Sequence, residues 1–366
     1  MKKVMFIFGT RPEVIKFAPL IEVFEKSSKF KVVLCSTGQQ RELLDQMVKY
    51  FELNLDYELK VMKENQNLSD LTSTLLPKLT EVLEKERPDH VFVHGDTTTA
   101  FVSSLAAFYQ KIDVSHIEAG LRTNNIYSPY PEEMNRCLIS KIASYNFAPT
   151  EMARLNLLKE GVSDKKIFVT GNTGIDAVLQ TKKKILSNDQ LPSEVDFDLT
   201  KKFILITYHR RENHGEDLLS FVSNLKLICE ANPDYNFVLP VHLNPNIKKP
   251  FEDNLKDISN IILRLPFSYE AFVWCLTKCH FIISDSGGVQ EEATALGKPV
   301  LLYRDTTERP EGIECKNIIL VKEGDLLRIN VNKLLKDVVF YHSMSVPSGI
   351  FGDGKASERI LRVLEG

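Results

Sequence analysis

The chain has 366 residues, long enough for two domains of ordinary size, and its 43% hydrophobic and 26% charged content is that of a globular protein. Its 46 basic and 49 acidic side chains give a formal net charge of −3, which argues against a general nucleic-acid or membrane binder. The six cysteines form no CxxC pair, so neither a disulfide scaffold nor a metal site is expected; Cys275 and Cys279 have the spacing of core residues on one helix face. Residues 1–9 imitate a secretion signal only until Arg11 and Glu13 interrupt them, and no apolar run nears the roughly 18 residues that span a bilayer. A cytoplasmic, soluble protein is expected.

Apolar runs at 4–8, 31–36, 90–94, 113–117 and 167–170 predict buried strands. Segments 14–26, 41–51, 68–86 and 98–109 between them carry the apolar spacing of helices. The polar stretch 180–202 interrupts this rhythm, which resumes with strands at 203–207, 236–240, 260–265, 281–284 and 299–303 and ends in a helix at 356–364. Alternation of this kind predicts an α/β protein with parallel sheets covered on both faces. We divide it into two α/β domains, 1–175 and 176–355, followed by the final helix.

Ligands of open α/β sheets bind outside the carboxyl ends of strands, and polar clusters collect there in this chain. The first strand runs into Gly9, Thr10, Arg11, Pro12 and Glu13, with Lys16 a turn later; Arg11 and Lys16 are placed to clamp an anion. Next come His94-Gly95-Asp96 followed by three threonines, then Glu118 at the mouth of a buried strand, with Arg122 as its expected structural partner. Pro129 and Pro131 deliver Glu132 and Glu133 to a helix start, where the dipole favours acids. Each of these acids alone fits helix capping; together they suggest acid/base chemistry.

In the second half, Tyr208, His209, Arg210, Arg211 and Glu212 follow a buried strand directly. His209 changes protonation near neutral pH, and the arginines can hold phosphate or pair with acids. His242 is a weaker strand-end histidine. Ser286, Gly287 and Gly288 open a helix with backbone N–H groups suited to a diphosphate, Glu292 follows at a distance suited to ribose hydroxyls, and the 304–311 loop adds Arg309. GxGxxG and GxxxxGK[ST] are absent, which disfavours dinucleotide redox and P-loop chemistry. A nucleotide on one wall and acids on the other point to nucleotide-sugar chemistry.

Taken as an ordered set, FGTRPE (8–13), HGDTTT (94–99), HIEAGLRT (116–123), YSPYPEEMNR (127–136), GNTGID (171–176), HRREN (209–213), PVHLNP (240–245), SDSGGVQEEA (284–293) and RDTTERPE (304–311) resemble the non-hydrolysing UDP-N-acetylglucosamine 2-epimerases over nearly the whole chain. The resemblance implies glycosyltransferase-B architecture, with Rossmann-like domains 1–175 and 176–355 facing across a cleft and 356–366 packing back on the first, and a homodimer; no cofactor is expected, and His94, Asp96 and His116 lack the spacing of metal ligands. It implies reversible interconversion of UDP-GlcNAc and UDP-ManNAc through elimination of UDP to a 2-acetamidoglucal. Asp96, Glu118 and Glu132 are then the acid/base candidates, with His209 at the diphosphate or leaving oxygen. Arg11, Lys16, Arg210, His242 and Arg309 would bind phosphate or sugar, Ser286, Gly287 and Gly288 the diphosphate, Glu292 the ribose, and Phe267 and Phe272 the uracil.

The chain departs from the family pattern at three positions. Gln40 replaces a usual histidine near the segment where bacterial relatives bind an activating UDP-GlcNAc; Tyr208 replaces a small residue and would crowd the cleft; Gly174 replaces a branched apolar residue. The rival readings are a 2-epimerase of another UDP-2-acetamido sugar, a glycosyltransferase, a hydrolysing epimerase and a nucleotide-sugar-binding regulator.

Overall fold

The computed structural model describes residues 1–39, 41–63, 66–188, 190–210, 215–241 and 244–366, without the side chains of 41–43. Two compact units result, residues 1–177 with 351–366, and residues 178–350.

The first unit is a seven-stranded parallel sheet of β1 (Lys2–Phe8), β2 (Phe30–Ser36), β3 (Tyr57–Glu58), β4 (His90–His94), β5 (Asp113–Ile117), β6 (Tyr145–Ala148) and β7 (Ile167–Val169), in the order β3-β2-β1-β4-β5-β6-β7. In register, Val4 pairs with both Val32 and His90. Strands β1 and β4 read as nearly unbroken apolar runs because helices cover both faces of the sheet. Phe6 stacks on Phe92 at 4.5 Å and takes Phe17 and Phe24 of helix Arg11–Lys26 edge-on, fixing that helix over the sheet. Helix Ala356–Glu365 packs on the same helix, and its first N–H groups, Ala356 and Ser357, donate to the Asp176 carboxylate at 3.1 and 2.7 Å.

The second unit holds six parallel strands, β8 (Phe203–Thr207), β9 (Asn236–Pro240), β10 (Ile261–Arg264), β11 (Ile282–Ser284), β12 (Val300–Leu302) and β13 (Ile318–Leu320), ordered β10-β9-β8-β11-β12-β13. Its core joins Phe221, Phe237, Phe251 and Phe281 with Tyr208 and Tyr303. Tyr208 corrects the expectation of a crowded cleft. Only 2% exposed, it stacks on Phe221 at 4.6 Å and meets Phe251 edge-on, because the chain has not yet left the core when β8 ends.

The polar stretch 180–202 is also not wholly irregular: helix Thr173–Asn188 runs through its first part, burying Val178 and Ile185 beneath a lysine-rich face. Among the described residues, no helix is long and apolar enough to cross a membrane.

Candidate active site

In both sheets the strand order reverses once, between β1 and β4 and between β8 and β11. Loops leaving the carboxyl ends of such a pair diverge and open a ligand crevice. The polar clusters of the sequence lie at these two places.

In the first unit, Thr10 caps helix Arg11–Lys26. Glu13, three residues later, accepts the Gly9 and Thr10 N–H groups at 2.9 and 2.8 Å through Oε2. Its Oε1 accepts the Thr97 hydroxyl at 2.8 Å, while Thr97 Oγ1 accepts the Ala100 N–H at 3.0 Å. One threonine thus caps helix Thr98–Tyr109 and ties the β1 loop to the β4 loop. Burial pushes the Glu13 carboxyl above its ordinary range against these hydrogen bonds. Gly9 is required by the close approach of the loops, since a Cβ there would lie 2.3 Å from Thr37 Oγ1 and 2.6 Å from Thr99 Oγ1.

Glu118, just past β5, turns into the cluster with φ +65°. Its Oε2 pairs with Lys16 Nζ and accepts Asn172 Nδ2 at 2.6 Å, and its Oε1 lies beside Gly95. Lys16 therefore spends charge on Glu118 rather than standing apart as an anion clamp. Arg122 is not the partner of Glu118. It grips Glu160 with Nε and Nη2 at 2.6 and 2.9 Å, because the turn at Glu118 sends the two side chains different ways. Asp96 Oδ2 receives two Arg136 bonds, from Nη2 at 2.5 Å and Nε at 3.0 Å; among the described residues Oδ1 takes no hydrogen bond. Arg136 is braced in turn by Glu133 at 3.1 Å, and Glu133 accepts the Thr123 and Asn124 N–H groups at 2.9 Å each.

Glu132 opens helix Glu132–Ile142 and is half-buried, as is Arg11 at the start of its own helix. Burial pushes the His94 and His116 imidazoles down to about 3 and about 4. His116 Nε2 bonds the Gly95 carbonyl at 2.7 Å, so that nitrogen carries the proton.

In the second unit, Asp285 is fully buried, and its carboxylate accepts the backbone N–H groups of His209, at 3.1 Å, and Arg210, at 2.8 Å. It also lies 3.3 Å from His209 Nδ1, leaving the imidazole half-exposed and oriented. Ser284 Oγ bonds Thr207 Oγ1 at 2.7 Å and accepts the Ser286 N–H at 2.9 Å, which engages that one of the N–H groups expected to face a diphosphate.

Beside the start of helix Gly287–Ala295 lies a cluster of arginines around Glu308. Arg309 Nη1 sits 2.5 Å and Arg210 Nη2 3.3 Å from Oε1, with Arg304 Nη1 2.9 Å from Oε2; Arg309 Nε also reaches Glu291 at 2.5 Å. Burial raises the Glu308 carboxyl, but Arg309, Arg304 and Arg210 outweigh it and hold it far below the carboxylate range. A Cβ on Gly287 would come within 2.8 Å of Arg309 Nη1 and 3.0 Å of Glu308 Oε1, whereas one on Gly288 would meet open space. The result is a helix N-terminus with guanidinium groups beside it, an arrangement suited to phosphate.

Comparison with known proteins agrees with this chemistry. Residues 22–365 match the family model described as UDP-N-acetylglucosamine 2-epimerase. The chain belongs to that family. A UDP-N-acetylglucosamine 2-epimerase of Salmonella borreze is 49% identical over 99% of this chain and 97% of its own length; one of Escherichia coli K12 is 47% identical over 99% and 98%. The crystal structure of the Neisseria meningitidis UDP-GlcNAc 2-epimerase bound to UDP-GlcNAc superposes with a TM-score of 0.95 at 46% identity, covering 99% of both chains. The chain is thus an enzyme of the epimerase class with two parallel-sheet α/β domains of the glycosyltransferase-B kind.

Within this enzyme, Glu292 lies half-buried on helix Gly287–Ala295. Phe267 is buried ahead of helix Tyr269–Lys278, and Phe272 is half-buried on it, past the carboxyl end of β10. Gln40, Arg211, Glu212, Asn213 and His242 lie outside the described residues. Sequence reasoning did not single out Asn172, Arg136, Asp285, Glu291 or Glu308 as site residues. All five sit inside the quoted motifs, and an acid buried beside arginines was the signal available for the last two.

Proposed function

We propose that the chain interconverts UDP-GlcNAc and UDP-ManNAc at C2 by eliminating UDP and adding it back. The C2 proton is not acidic, so its removal must accompany departure of the leaving group. A carboxylate takes the C2 proton, the C1–O bond breaks with its electron pair going to the diphosphate, and a C1=C2 bond forms. A carboxylic acid on the other face then protonates C2 as UDP re-adds at C1.

The observation that carries this reading is the pairing of chemistries. Carboxylates at strand ends occupy the first unit, Asp96 with Oδ1 unbonded among the described residues, and the arginine-flanked helix N-terminus occupies the second. Asp96, Glu118 and Glu132 serve as acid/base groups. His209, Arg210, Arg309 and Ser286–Gly288 hold the diphosphate, Glu292 the ribose, and Phe267 with Phe272 the uracil; Arg11 and Lys16 complete the sugar side. The enzyme works in the cytoplasm and supplies a ManNAc-type sugar for surface polysaccharide synthesis.

Proton NMR of UDP-GlcNAc with the pure enzyme in D₂O is the test. Deuterium at C2 together with UDP-ManNAc supports the reading; an unchanged spectrum despite bound UDP would overturn it. The enzyme is further proposed to be a homodimer. Helices Leu68–Glu86, Thr98–Tyr109 and Glu132–Ile142 pack side by side and leave Phe108 56%, Tyr109 64% and Leu138 40% exposed. Phe108→Glu with Tyr109→Glu is expected to convert the dimer to monomer in light scattering; a variant of unchanged mass would sink this face as the interface.

A further inference from the structure

The amino ends of β8, β11 and β12 surround a cavity of about 550 Å³ in the second unit. Arg210 and Gly287 follow the carboxyl ends of the same strands, so five-residue β8, at about 3.3 Å per residue, sets the two places roughly 13 Å apart. Part of the wall is aromatic. Trp274 lies parallel to Phe203, with centroids 6.2 Å apart and planes at 3°. His280 stacks on Tyr341 at 4.1 Å, and the Tyr341 hydroxyl donates to the His280 carbonyl at 3.1 Å.

Beside Leu199, Thr200 and Cys279, the lining carries four lysines, of which Lys201 donates to the Pro233 carbonyl at 3.0 Å. Lys202 precedes β8, Lys278 ends helix Tyr269–Lys278, and Lys298 precedes β12. The turn presenting Lys298 depends on Gly297, whose φ is +67° and whose added Cβ would lie 2.8 Å from Pro347 and from the Ser345 carbonyl. Lys298 Nζ donates to the Cys279 carbonyl at 2.7 Å. Burial, then the nearby charges of Lys182 and Lys278, hold its ammonium below the ordinary lysine range. Burial with Lys202 and Lys298 pushes His280 down to about 4. Among the described residues, none of Lys202, Lys278 and Lys298 forms an ion pair with a carboxylate; Lys201 lies in the field of Asp198.

Like charges gathered without a counter-ion are unfavourable, and an anion entering the cavity relieves that. The number of cations calls for a multiply charged ligand, the aromatic wall for a planar ring, and the volume falls within the range of small-molecule sites. We propose that this cavity binds a nucleoside di- or triphosphate at a site separate from the arginine cluster.

Trp274 is the only tryptophan of the chain, so its fluorescence reports this cavity. The experiment titrates the full-length protein with ATP, inorganic tripolyphosphate and adenosine, comparing it with the Lys202→Glu/Lys278→Glu variant. The expected result is a saturable ATP-dependent change in emission, weaker for tripolyphosphate and adenosine, with Kd raised about tenfold or more in the variant. Both lysines are exposed; should the charge reversals lower the melting temperature, Lys202→Ala/Lys278→Ala supplies the same comparison. No ATP-dependent change, an undiminished one in the variants, or equal response to tripolyphosphate would overturn the proposal.

Discussion

Among the described residues Asp96 is held through one carboxylate oxygen, by a guanidinium, while an ammonium and an amide meet at Oε2 of Glu118. This fixes direction without consuming Asp96 Oδ1, the property a general acid or base needs. Asp96→Asn should lower kcat by about 10²–10⁴ while UDP affinity changes only a few-fold, as read by steady-state kinetics and calorimetry. Equal loss of both would indicate a structural role.

Acid stability is set nearby, by histidines buried in the neutral form. Their folded pKa values lie below the unfolded one near 6.5, so their contribution is complete above that pH. It is lost as pH falls toward 4, at up to about 1.4 kcal/mol per pH unit for each ring. His116→Gln can keep the donor to the Gly95 carbonyl while removing the titration. Urea melts at pH 7 and pH 5 should therefore show a smaller loss in the variant than in the parent.

At this scale the sequence showed which acids sit at strand ends but not their partners. Lys16 and Asn172 reach Glu118 from far along the chain, and the left-handed turn at Glu118 that separates it from Arg122 leaves no trace in residue type.

Helix Gly287–Ala295 shows how one element is built for the diphosphate role proposed for it. Ser286 stands at its N-terminus, Gln290 donates back to the Ser286 carbonyl at 3.2 Å, and Gln290 Oε1 accepts the Thr307 hydroxyl at 2.8 Å, so the helix and the arginine loop are tied together. Gly287→Ala would drive a methyl into Arg309 and Glu308. Helix propensity alone would favour alanine, so stability should change by no more than about 1 kcal/mol. UDP binding should weaken about tenfold or more, measurable by calorimetry, because displaced guanidinium groups no longer converge on phosphate.

Long elements with strong periodicity were legible in advance, helix Leu68–Glu86 and β8 among them. Three-residue β7, β11 and β12 were legible too, but other short strands were not: β3 has two residues, β13 three, and β6 places Asn146 in a fully buried strand position, against the apolar pattern that marks strands. Helix Thr173–Asn188 escaped because its lysine face dominates the composition of 180–188, while its few buried apolar residues form too narrow a stripe.

For the whole molecule, the alternation of strand and helix sufficed for fold class, yet strand order cannot be read from it, since the same rhythm serves several orders of parallel strands. The polar loops supplied what periodicity lacked by marking the strand ends on either side of the two order reversals. The C-terminal segment joins fold and site within the first unit. The Phe351 carbonyl accepts the Asn172 N–H at 2.7 Å, and Asn172 in turn bonds Glu118 at 2.6 Å. Helix Ala356–Glu365 packs against the helix that carries Lys16, the other partner of Glu118. A chain ended at Ile350 would therefore loosen both groups that aim Glu118, and it would uncover apolar surface now covered by Ile360 and Leu364. Its kcat should fall about tenfold or more. UDP affinity, which rests on groups within 178–350, should stay within about threefold. Loss of UDP binding in step with kcat, measured on a variant that still melts cooperatively, would show that the segment acts on the whole fold rather than through Glu118.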